Sequence, residues 1–104
     1  MVSIQFEEKN NESSEVTAYF FTILAVPSPS LISPLLEEKL KEDLYLLYPD
    51  SDSPFAVEIE IDQVNDRRQS MFIEVRIKGG GDLNEISLSG HIKKTVEVLA
   101  SANL

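Results

Sequence analysis

The chain has 104 residues, 42% of them hydrophobic, no cysteine and a formal net charge of −9. That length suits a single domain around one core, and without cysteine there is no disulfide, no thiolate nucleophile and no His/Cys zinc site. The acidic balance speaks against nucleic-acid binding through a basic face, because affinity for phosphate rests on clustered Lys and Arg.

The charge is uneven. Residues 1–62 hold 13 acids against Lys9, Lys39 and Lys41, whereas residues 63–104 are nearly neutral, their only basic pairs being Arg67 with Arg68 and Lys93 with Lys94. A basic protein partner, or imitation of a nucleic acid, fits this balance. The opening residues lack the basic region and apolar run of a secretory signal. The longest apolar run, residues 16–26, is about half the ~20 residues that span a bilayer. The expected setting is therefore intracellular, in the cytoplasm or nucleus, with no membrane contact.

In chain order, Val2, Ile4 and Phe6 alternate with polar residues as a short first strand, and Lys9 to Ser14 read as a turn closing a hairpin. The second strand, Val16 to Val26, is apolar on both faces: Val16, Ala18, Phe20 and Leu24 on one, Tyr19, Phe21 and Ile23 on the other. Pro27 and Pro29 break it. Ser33 followed by Pro34 is a good helix start, Leu36, Leu40, Leu44 and Leu47 form one face, and Tyr48 before Pro49 ends the helix.

Phe55, Val57, Ile59 and Ile61 then alternate with Glu58, Glu60 and Asp62, and Met71, Ile73, Val75 and Ile77 repeat the alternation. The two runs read as one antiparallel hairpin, half buried. After Gly79, Gly80 and Gly81, Asp82 with Glu85 forms a capping-box pattern ahead of the stripe Leu88, Ile92, Val96 and Leu99. Gly90 leaves open a fifth short strand over 85–89. The expected fold is α+β, a two-layer sandwich in β-β-α-β-β-α order: a four-stranded antiparallel sheet with two helices on one face.

Catalytic and metal signals are thin. His91 is the sole histidine, so any triad would rest on one ring. Asp50 and Asp52 match the first two spacings of a calcium loop, but Pro54 takes the third ligand position. The three glycines resemble a phosphate cradle that Asp82 would repel. The serines before Pro29, Pro34 and Pro54 are explained by turns and caps. Neither cofactor nor catalytic residue is expected, and the protein reads as a non-enzyme. Glu58, Glu60 and Asp62 form an acidic face that Arg76 and Lys78 can pair across the ladder. Tyr19, Phe21, Ile23 and Phe72 are expected to point away from the helices and form a partner-binding patch, since monomers rarely expose four large apolar groups together.

From Val16 onward, the order and spacing of elements resemble the small dimerising subunit of the KEOPS tRNA-modification complex. The local likeness lies in Leu24, Ala25, Val26 and Pro27 before the first helix, Asp82 with Ile86 four on, and Ile92 and Lys93 followed by Val96 and Glu97. The chain departs from the family at Ser87, where an arginine is usual, and in its extra strand at Val2 to Glu7. The resemblance implies a non-catalytic scaffold that dimerises through its sheet and holds a partner with its helices. Leu46 to Pro49 also looks like the opening of an RWD domain, whose later Tyr-Pro motif and remaining strand are missing here. The expectation is a protein-interaction subunit or adaptor that dimerises or docks through an apolar sheet face. The rival is an acidic inhibitor imitating nucleic acid.

Overall fold

The two apolar alternations do form a hairpin, and the rest of the fold is registered against it. A computed structural model describes residues 2–13, 16–47, 57–78 and 83–104. Its elements are β1 (Ser3–Asn11), β2 (Val16–Leu24), α1 (Pro29–Leu47), β3 (Val57–Asn65), β4 (Ser70–Lys78) and α2 (Glu85–Asn103). The four strands make one antiparallel sheet in the order β1-β2-β4-β3. α1 packs mainly over β3 and α2 over β1, with the helices also against each other. The expected α+β order and architecture are thus present. Among the described residues, no helix is long and apolar enough to cross a membrane.

Pairing fixes which side of each strand meets the helices. On β4, Met71, Ile73, Val75 and Ile77 are buried, while Phe72, Glu74 and Arg76 on the other parity are only partly so. Tyr19 lies opposite Val75, which lies opposite Ile59; Phe21 lies opposite Ile73, which lies opposite Ile61. Because directly paired residues share a face, Tyr19, Phe21 and Ile23 belong to the core, and all three are fully buried. This corrects the expectation that they form an exposed patch. Both faces of β2 are apolar, so its own alternation carries no parity, whereas β4 has charge on one side only. The Tyr19 hydroxyl donates to the Leu83 carbonyl at 3.2 Å, which satisfies a buried polar group and ties β2 to the lead-in of α2.

α1 begins five residues earlier than Ser33 and Pro34 suggest. An identical Ser-Pro pair at Ser28 and Pro29 starts it, with the Ser28 carbonyl accepting from the N–H groups of Leu31 and Ile32 at 2.9 and 3.1 Å. Pro34 sits inside the helix. The early start is held from outside: the Asp66 carboxylate, in the β3–β4 loop, accepts from the Ser30 N–H at 2.9 Å and from its hydroxyl. An anion at the positive end of a helix, on an otherwise free amide, is favourable. Ile32, Leu36, Leu40 and Leu44 then bury one face. The Leu47 side chain, Tyr48, Asp50, Asp52, Phe55, the three glycines and Asp82 lie outside the described residues.

The Ser30 hydroxyl, then its amide, hold the Asp66 carboxyl below its usual 3.8. A depressed folded value means the contribution is whole above about pH 3.8 and is lost as pH falls through the folded value. Asp66→Ala should therefore lower the melting temperature at neutral pH, with the gap from wild type closing in acid. Equal melting temperatures at neutral pH would remove the cap from the account of α1.

The helical reading of 85–89 holds, and the fifth-strand alternative does not. Asn84 is the N-cap, its Oδ1 accepting from the N–H groups of Ile86 and Ser87 at 2.7 and 3.3 Å. Glu85 in the first turn adds a favourable charge. Leu88, Ile92 and Val96 are buried as expected. Gly90 lies within the helix, and a Cβ built there meets nothing within 4 Å. Gly90→Ala should then stabilise the protein by roughly 0.5–1 kcal/mol, since alanine loses less backbone entropy on entering a helix. A drop in the urea midpoint would contradict an open helix surface at this position.

Candidate functional site

With both helices on one side, no described element covers the opposite face of the sheet. Its rows follow from the register. Gln5, Thr22, Phe72 and Asp62 form one row, Glu8, Phe20, Glu74 and Glu60 the next, and Asn10, Ala18, Arg76 and Glu58 the third. Of the expected patch, only Phe72 lies here, and its neighbour is Phe20. The two rings stack with centroids 6.0 Å apart and planes 28° apart, the diagonal contact that a Phe20-opposite-Glu74 register allows. Phe20 was missed because the alternation of β2 does not say which of its two apolar faces is uncovered. Its diagonal position relative to Phe72 emerges only once β2 is aligned with β4.

Glu58 and Glu60 are exposed on this face, as expected of the acidic row, and Asp62 continues it. The expected cross-strand pairing is only partly realised. Glu58 lies opposite Arg76, with 4.0 Å between carboxylate and guanidinium, but Glu60 lies opposite Glu74 and Asp62 opposite Phe72. Lys78, one step beyond the Val57–Ile77 pair, shares the parity of Arg76 on β4. Arg76 is instead shared. Its Nε is 3.1 Å from Glu12 Oε2, and its terminal nitrogen is 3.3 Å from Glu74 Oε2. A recess of about 270 Å³ opens beside it, lined by Lys41, Ile59 and the acids Glu58, Glu60 and Glu74.

Glu74 is the unusual group on this face. Its side chain is only 12% exposed. Desolvation raises its carboxyl above the usual 4.5; Glu12 and Glu60 push the same way, and Arg76 opposes them without prevailing. Because the folded value is raised, its contribution is whole below about pH 4.5 and is lost as pH rises through the folded value. Glu74→Gln should abolish that loss, so the variant gains on wild type in urea unfolding between pH 4.5 and neutrality. A constant difference across that range would show that Glu74 ionises as freely folded as unfolded.

His91 lies in the helix layer, across the sheet from the carboxylates. Its Nε2 is 3.2 Å from Asp43 Oδ2 without forming an aligned hydrogen bond, and Asp43 also pairs with Lys39 at 3.3 Å. These groups and Lys94 line a cleft of about 220 Å³ between the helices. The sheet therefore separates the one imidazole from Glu58, Glu60 and Asp62. Among the described residues, no three His, Asp or Glu side chains are placed to hold a metal ion. Arg67 and Arg68 are exposed in the β3–β4 loop, and Oδ1 of Asn65 at the end of β3 accepts from the Arg68 N–H at 3.0 Å.

No protein-family model matches the chain, and no curated protein or solved structure is significantly similar to it.

Proposed function

We propose that the chain is a non-catalytic protein-interaction subunit that docks a protein partner on the open face of its sheet. The observation that carries this reading is the face that no described element covers, with the Phe20–Phe72 pair at its centre and carboxylates around it. Sheets in two-layer folds bury one face, and the other is free for association. The aromatic pair supplies apolar area and the rim supplies orientation, the usual division between the core and rim of an interface. Placing the imidazole and the carboxylate row on opposite sides of the sheet supports a binding rather than a catalytic role. A scaffold role in a tRNA-modification complex is the specific form that the KEOPS resemblance implies.

Nucleic-acid mimicry has less support. Arg76 sits within the acidic field, paired with Glu12 and Glu74, and breaks its uniform sign. The test is the double variant Phe20→Ser/Phe72→Ser, compared with wild type for capture of a native partner. Loss of the partner with an unchanged circular dichroism spectrum is expected. Retained capture by the folded variant would move the docking surface off the open face.

A further inference from the structure

We infer that the partner segment seated on the open face is basic, and that one of its arginines enters the recess between Glu60 and Glu74 while an adjoining apolar residue covers Phe20 and Phe72. The inference rests on the docking reading above and supplies the partner's chemistry. Glu60 and Glu74 are directly opposite each other across β3 and β4, a placement of like charges that destabilises a ladder unless a cation or a proton held between the two carboxyls intervenes. Of the two cations lining the recess, Arg76 is already divided among Glu12, Glu74 and Glu58, which leaves Lys41 against the remaining charge. Among the described residues, six acids, Glu8, Glu12, Glu58, Glu60, Asp62 and Glu74, stand on or beside the face or turn toward it, against Arg76, Lys78 and Lys41. The recess of about 270 Å³ is bounded by three of those acids together with Arg76, Lys41 and Ile59, an excess of one acid.

Arginine suits this recess better than lysine. Its planar fork can donate to two carboxylates at once and can also stack on the neighbouring rings. A second copy of this chain suits it poorly, because a two-fold interface sets the same patch against itself and would bring acid onto acid in a protein of net charge −9. The same charge accelerates the approach of a cationic partner.

The test uses the full chain with a synthetic peptide alternating arginine and leucine, its lysine-for-arginine counterpart and an acidic counterpart. Binding is followed by nuclear magnetic resonance shifts and by anisotropy. The arginine peptide should bind and shift residues of β2, β3 and β4 on the open face, more tightly than the lysine peptide, while the acidic peptide does not bind. Glu60→Gln/Glu74→Gln should weaken it roughly tenfold or more, whereas the equally charge-reducing Glu38→Gln/Glu42→Gln on exposed positions of α1 should leave it unchanged. Equal weakening by both pairs would reduce the effect to net charge and overturn the inference. So would light scattering showing a dimer that Phe20→Ser/Phe72→Ser dissolves, since the occupant would then be a second copy. If Phe20→Ser/Phe72→Ser loses the native partner but Glu60→Gln/Glu74→Gln keeps it, the basic-segment inference falls and the docking reading stands. If both variants keep the partner, both fall. Thermal melts of each variant confirm that a loss of binding is not a loss of fold.

Discussion

Phe21→Glu is expected to leave the chain unfolded at neutral pH. Phe21 is fully buried, with Phe6 against it at 5.6 Å between ring centroids and Ile73 opposite it on β4. Truncating a buried phenylalanine to alanine alone costs about 3–5 kcal/mol. An unpaired carboxylate in that space adds a desolvation cost of several kcal/mol more. The sum rivals the roughly 5–15 kcal/mol that holds a typical domain together. Phe72→Glu, on the uncovered face of the neighbouring strand, should instead keep a native circular dichroism spectrum and a cooperative melt. The pair of substitutions thus reads the parity of β2 and β4 directly. A folded Phe21→Glu protein would mean that β2 presents its other face to the helices.

Leu40→Ala is expected to cost ~2–5 kcal/mol, and Ile59→Ala a similar amount. Leu40 is fully buried near the middle of α1, Ile59 is 5% exposed on β3, and both belong to the single core that α1 closes over β3. Urea unfolding should show a lower midpoint with an unchanged slope. A departure from additivity in the double variant would show that the two side chains relax into one cavity. A loss below ~1 kcal/mol from either single variant would show that α1 does not cover this strand.

The element order, the β3–β4 hairpin, the α1 leucine face at Leu36, Leu40 and Leu44 and the α2 stripe at Leu88, Ile92 and Val96 were all legible in the sequence. Each is written in a local period, two for a half-covered strand and 3.6 for a helix. The carboxylates of Glu58, Glu60 and Asp62 were likewise placed on the uncovered face by the alternation of β3 alone. The tertiary structure decided the rest. Tyr19, Phe21 and Ile23 turn inward because β2 is registered against β4, and a strand apolar on both sides carries no parity of its own. α1 starts at Pro29 because Asp66, 36 positions after Ser30, reaches back to its first turn, a contact that no local pattern encodes. The candidate site has the same origin. Phe20 with Phe72, Glu60 with Glu74, and Arg76 among three carboxylates join residues of different strands, and only the register of β2, β3 and β4 brings them together.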